Sequence, residues 1–165
     1  MKTIAVYWEP KPKIYGFSEV KNLSLLNIKI KPEKMAQWGR WFLELADLDI
    51  NFHLVLAKYS NHKELRLYVL LEKHWTDNVL SYIGKRIVLE PEKDFTLNSP
   101  VELISFQGPH FGDRYGIADS AFKALDGQGI SILIAVCSGA AVYIVLPEKK
   151  LDAARPFLAE AFKVP

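Results

Sequence analysis

The strongest constraint on this chain is an order of elements that occurs twice and is one strand short the second time. In the second half, Val101 to Phe106 alternates Val-Glu-Leu-Ile-Ser-Phe and predicts a strand. Gln107 to Gly112 holds two glycines and a proline and predicts a loop. Asp113 can cap the helix that follows, on which Ile117, Ala118, Ala121, Phe122 and Leu125 recur at helical spacing. Gly127 and Gly129 stop it. Ile130 to Val136 is an almost unbroken apolar run, the pattern of a strand covered on both faces. Ser138-Gly139 turns the chain into a second strand, Ala141 to Leu146, which Pro147 ends. Leu151 to Phe162 is a last helix with Leu151, Ala154, Leu158 and Phe162 on one face; Pro156 either kinks it or marks its first turn.

The first half repeats this order. Leu23 to Ile30 alternates as a strand, Pro32 suits a first helical turn, and Met35, Trp38, Phe42 and Leu45 form a stripe. Ile50 to Lys58 and Leu65 to Leu71 are strands around the turn Ser60-Asn61-His62. Thr76 or Asp77 caps a helix carrying Val79, Leu80 and Ile83, which ends at Gly84; Ile87 to Glu90 is a short strand before Pro91. Ile50-Asn51-Phe52 matches Ile130-Ser131-Ile132, a period of about 80 residues. Only Lys163-Val164-Pro165 follow the last helix, so the second copy lacks its fourth strand. Two strand candidates, Ile4 to Trp8 and Ile14 to Phe17, stand ahead of the first copy. The economical fold is α+β: two ferredoxin-like β-α-β-β-α-β units in tandem, the first nested in the second through an N-terminal strand. The expected boundaries are 20–95 for the first unit and 1–19 plus 100–165 for the second.

Composition narrows the function classes. With 165 residues, half of them hydrophobic and 24% charged, the chain can build a core without staples. Its single cysteine, Cys137, excludes a disulfide framework and a cysteine zinc site, fits a reducing cytoplasm, and reads as a buried thiol at a strand end. No apolar run reaches the roughly 18 residues of a membrane span, and Met1 to Glu9 is too short for a signal peptide. Glutamates 9, 19 and 33 interleave lysines 11, 13, 21, 29, 31 and 34, which predicts a solvated face and not a nucleic-acid surface. His53, His62, His74 and His110 stand apart in sequence and predict no metal site. Asp47 and Asp49 read as solvated carboxylates at a helix end. Tyr7, Trp8, Trp38, Trp41 and Trp75 read as core or interface. No nucleophile–base pair can be assembled, and nothing calls for a cofactor.

The second half resembles the regulatory ACT domains at the C-terminus of aspartate kinases. The residues that carry the likeness are Leu103-Ile104-Ser105-Phe106-Gln107-Gly108-Pro109, Gly112 to Ala118, Ala121-Phe122-Lys123-Ala124-Leu125, Gly129-Ile130-Ser131-Ile132 and Ala159-Glu160-Ala161-Phe162. Family members show a similar strand and glycine loop, then "PGVA", "FxAL", "GINI" and a terminal "HEAF". The first half is similar more faintly, through Lys31-Pro32, Trp41 to Leu45 and Ile50-Asn51-Phe52. Ile14-Tyr15-Gly16-Phe17 looks like the strand before the first ACT unit of those kinases, in which the first unit is likewise nested. No segment of this sequence resembles their catalytic domain. Tyr115 stands where the family has proline, and the family's Asp-Lys-Pro-Gly loop is reduced here to Ile30-Lys31-Pro32-Glu33.

The resemblance implies a ligand site. ACT effectors lie between this loop in one unit and the start of the second strand in a neighbouring unit. That places Gly112, Asp113, Arg114, Tyr115, Gly116 and Ile117 with Asn51, Phe52 and His53. A helix N-terminus suits a ligand carboxylate. Asp113 can face an ammonium group, and Arg114 can fork onto a carboxylate. The opposite pairing, the reduced loop with Ser131-Ile132-Leu133-Ile134, looks lost. The implied function is a non-catalytic, amino-acid-binding regulatory or sensor protein. Its partners would be a free amino acid and an enzyme of amino-acid metabolism, with no nucleic acid and no membrane. The alternatives are an interaction module with a decayed pocket and a small enzyme using residues 108–116 as an anion cradle. An edge strand apolar on both faces needs cover, which predicts a homodimer with Ile130, Ile132, Ile134 and Val136 near the interface.

Overall fold

Two long strands organise the chain, each contributing one end to each of two structural units. The computed structural model describes residues 10–59, 64–88, 93–109, 111–112 and 115–164. The expected strand Ile4–Trp8 with Tyr7, the turn Ser60-Asn61-His62, Leu89 and Glu90, Pro91, His110, Asp113 and Arg114 lie outside the described residues. The units are Asn22–Val101, and Met1–Lys21 with Glu102–Pro165.

In the unit Asn22–Val101 the chain runs β1 (Gly16–Ile30), α1 (Met35–Ala46), β2 (Phe52–Tyr59), β3 (Leu65–Glu72), α2 (Thr76–Gly84) and β4 (Phe95–Gln107), in the strand order β2-β3-β1-β4. β1 and β3 pair antiparallel from Leu23 opposite Glu72 to Ile30 opposite Leu65. Alternation sends Leu26, Ile28 and Ile30 of β1 to the face that also carries Leu67, Val69 and Leu71 of β3. Trp38, Trp41 and Leu45 of α1 and Val79 and Ile83 of α2 cover that face. Met35 is exposed, and Trp41 takes its place in the stripe.

The other unit runs β4, α3 (Ile117–Leu125), β5 (Ile134–Cys137), β6 (Ala141–Pro147) and α4 (Leu151–Ala161), and its strand order is β1-β4-β6-β5. The fourth strand comes from the first half of β1: the Tyr15 N–H donates to the Gln107 carbonyl at 2.9 Å. The core gathers Ile104 and Phe106, Ile117, Ala121 and Leu125, Val142, Ile144 and Leu146, and Leu151, Ala154, Leu158 and Phe162. Pro156 lies inside α4, exposed, without interrupting it.

Several local expectations change. The described last strand of the unit Asn22–Val101 starts at Phe95, and Ile87 and Val88 of the expected strand lie outside any strand. The Ile87 N–H still donates to the Ile83 carbonyl, so the chain there is leaving α2. Thr76 does not cap α2: its hydroxyl donates to the buried Ser24 Oγ at 2.7 Å, and Ser24 shares a 2.7 Å bond with Ser99 Oγ. Helix α3 starts late, at Ile117, with left-handed Gly116 (φ 86°) in place of Asp113 at the N-cap. β5 covers only Ile134–Cys137, because left-handed Gly127 and Gly129 extend the preceding loop. Ile130 and Ile132 pack on the core from that loop. Cys137 is exposed, since β5 has a neighbour on one side only.

The N-terminus of α4 is held from β4. The Leu151 N–H donates to Glu102 Oε2 at 2.7 Å, and Glu102 is 5% exposed. A carboxylate is stabilised there by the unpaired N–H groups of the first turn. Lys21–Asp152 (2.8 Å) and Arg155–Glu19 (2.7 Å) tie β1 to the same helix at the surface. The Asp152 hydrogen bond raises the Lys21 ammonium above its ordinary range. Burial separates these contacts energetically. Glu102→Ala should cost about 1–3 kcal/mol in urea unfolding, the penalty of an orphaned buried donor, and Lys21→Gln far less. Equal losses would contradict this assignment.

Candidate functional site

The loop after β4 is shaped by close packing. A Cβ on Gly108 would stand 2.1 Å from the Lys13 carbonyl oxygen, 2.6 Å from Phe111 Cε1 and 3.1 Å from Ile14 Cα. Only glycine lets β4 pass this close to the Lys13–Ile14 segment. That segment is fixed on its other side, where the Ile14 N–H donates to the Lys163 carbonyl at 3.0 Å. Phe111 turns into the core, edge-on to Phe106 at 6.2 Å. At Gly112 a Cβ would stand 3.3 Å from the Gly139 carbonyl of the β5–β6 turn.

The loop's sequence-predicted site residues then part company. Ile117 is buried in the core, so it anchors α3, and only its backbone stays at the helix N-terminus. Gly112 and Gly116 are exposed, and Tyr115 is 99% exposed. In the first turn of α3, Asp119 pairs with Lys123 at 2.8 Å, which leaves the N-terminal N–H groups to other acceptors.

The second segment is the start of β2, an edge strand. Asn51 is exposed just before it. Phe52 packs on the core and meets Phe42 edge-on at 5.1 Å. Phe52 stands opposite Leu71 and Leu54 opposite Leu70, so His53 is the extra residue of a β-bulge. Its Nε2 is buried and has no hydrogen-bond partner among the described residues. The one other such side-chain atom among the described residues is Asn27 Oδ1, on β1 opposite Tyr68. The sequence marked His53 as polar where a ligand needs polar groups, but it carried no sign of the bulge, which depends on the register with β3.

The opposite pair of segments is built differently. Ile30-Lys31-Pro32-Glu33 passes into a 3-10 turn, Pro32–Lys34, with no side-chain cap. Ser131 is exposed, and Ile132 leans on the core. Of the expected interface residues, Ile130 and Ile132 lie in the loop before β5, and Ile134 and Val136 are half-buried on β5 itself. Among the described residues no cluster of three or more His, Cys, Asp or Glu could hold a metal ion, and no helix is long and apolar enough to cross a membrane.

No family model matches the sequence, and no curated protein matches it significantly. Solved structures do match. The regulatory subunit of aspartate kinase from Thermus flavus superposes with a TM-score of 0.74 at 15% identity, over 92% of this chain and 99% of that one. The aspartokinase alpha and beta subunits give 0.72 at 18% identity, over 90% of this chain and 97% of that one. E. coli aspartokinase III in complex with lysine and aspartate gives 0.65 at 14% identity, over 95% of this chain and 35% of that one. The chain is similar in fold to the regulatory region of aspartate kinases: two ferredoxin-like ACT-type units in tandem, the first nested in the second.

The glycine contacts yield a graded test. Gly108→Ala should destabilise by about 1–3 kcal/mol, as overpacking against backbone does, and Gly112→Ala by less. Urea midpoints that place Gly108→Ala at or above the unsubstituted protein would refute the close approach at Lys13.

Proposed function

We propose that this chain binds a free amino acid and works as a non-catalytic regulatory or sensing protein of tandem ACT type. The observation that carries the reading is the buried His53 Nε2 without a partner, on a bulge at the start of β2. An unsatisfied buried polar atom costs on the order of 1–3 kcal/mol. A ligand that brings a hydrogen-bond partner recovers that cost. The fold supports the same reading, since similar structures are regulatory subunits of aspartate kinase. One similar structure, E. coli aspartokinase III, holds lysine and aspartate.

In this account the ligand carboxylate lies at the N–H groups of Ile117 and its neighbours, framed by Gly112, Tyr115 and Gly116. By the resemblance to ACT domains, Asp113 and Arg114 of the loop and Asn51 and His53 at the start of β2 are the side chains proposed for the polar contacts of a ligand. Regulation follows by linkage: a ligand favours whichever state of the protein binds it better. An enzyme of amino-acid metabolism is the partner such a subunit would serve. The half-buried Ile134 and Val136 on edge strand β5 are the residues of a homodimer contact in this reading.

Calorimetry against each proteinogenic amino acid tests the proposal. One amino acid, or a small related set, should bind with a Kd between about 10 μM and 1 mM. His53→Leu should weaken that binding at least tenfold without loss of stability, because it removes the orphaned nitrogen. Absence of binding by every amino acid at millimolar concentration refutes the reading. It would favour an interaction module with a decayed pocket, whose partner ignores amino acids.

A further inference from the structure

The unit Asn22–Val101 contains a second feature that the amino-acid reading does not use. A cavity of about 370 Å³ opens between the β1–α1 turn and the residues that follow α2. Its floor is apolar, made by Ile30, Trp38, Trp41 and Ile87. The two indoles are 4% and 6% exposed and meet edge-on at 5.0 Å. Neither indole N–H has a hydrogen-bond partner among the described residues. The rim is basic: Lys29, Lys31, Lys34 and Arg86.

The rim cations divide into two kinds. Lys29 is ion-paired with Glu64 and holds that carboxyl below its ordinary range. Arg86 reaches Glu44 at 3.4 Å and lies over the Tyr82 ring at 3.5 Å. Lys31 and Lys34 have no ion-pair partner among the described residues. The carboxylate on the rim, Asp94, already has an interaction of its own, and its carbonyl accepts from the Lys29 N–H at 2.6 Å. Among the described residues the cavity thus presents two ammonium groups without an ion-pair partner beside an aromatic floor.

We propose that this cavity binds a carboxylate anion with an aromatic or branched apolar body and no ammonium group, such as a 2-oxo acid or an aryl-alkanoate. The body packs on the Trp38 and Trp41 rings, and the carboxylate takes Lys31 and Lys34. A free amino acid fits worse, because its own ammonium would face the same two lysines. The cavity volume lies in the range of small-molecule sites. Its described walls include neither residues 112–117 nor residues 51–53, so it is a different place from the segments around Gly112 and His53.

The test uses three probes with one body: 3-phenylpropionate, L-phenylalanine, which adds an ammonium, and uncharged 3-phenylpropanamide. The readout is the indole N–H signals of Trp38 and Trp41 in ¹H–¹⁵N spectra. 3-Phenylpropionate should shift them saturably with a Kd below about 5 mM. The other two should bind at least tenfold more weakly. Lys31→Gln with Lys34→Gln should weaken 3-phenylpropionate at least tenfold and leave the spectrum otherwise folded. His53→Leu should leave this binding unchanged, which separates it from the amino-acid site. The proposal is overturned if 3-phenylpropionate leaves both indole signals unmoved, if the double variant binds it equally well, or if all three probes bind alike.

Discussion

The arrangement depends on one strand supplied from the far end of the chain. A ferredoxin-like sheet needs a fourth strand beside its first, and among the described residues of 102–165 no strand follows α4. The first half of β1 fills that position, fixed by the hydrogen bond from Tyr15 to Gln107. Immediately before it, the Pro12–Ile14 segment pairs with Lys163: Ile14 N–H to the Lys163 carbonyl, and Lys163 N–H to the Pro12 carbonyl. This pairing demands glycine at 108, because Lys13 crosses there within van der Waals distance. The chain then reaches the left-handed turn at Gly116 and the start of α3.

Much of this was legible because it rests on local pattern. Alternation placed β1, β3 and β6, helical spacing placed α1 and α4, and the missing fourth strand pointed to nesting. The misreadings share a cause. Ile130 and Ile132 are as apolar as the strand residues after them, but they meet the core from a loop. Hydrophobicity reports burial and not backbone pairing. Cys137 looked buried for the same reason, and the edge position of β5 exposes it. Ile87 and Val88, read as the start of a strand, lie outside one, and Val88, 93% exposed, faces solvent just after α2. Glu102 gave no local sign of its role, since the helix end it holds is 49 residues away.

The candidate site shows the same division. Residue type proposed Gly112, Gly116, Asn51, His53 and Ile117 alike; packing then distinguishes Ile117, which is buried in the core, from the exposed Gly112, Gly116 and Asn51. The bulge at His53 is a matter of register between β2 and β3, which no single segment specifies. Buried hydroxyls elsewhere in the same unit are satisfied, as in Thr76–Ser24–Ser99. Against that background the unpaired His53 Nε2, like Asn27 Oδ1, is an exception among the described residues, and exceptions to polar satisfaction call for an explanation such as a ligand partner.

The central claim is that His53 Nε2 awaits a partner from a bound amino acid. Long-range ¹H–¹⁵N spectra of the imidazole, recorded at fixed pH with and without a pool of free amino acids, address it directly. The account predicts that the Nε2 resonance of His53 shifts in the presence of the cognate amino acid while that of His74, paired with Glu72, stays in place. A His53 resonance unchanged by every amino acid at saturating concentration would contradict it.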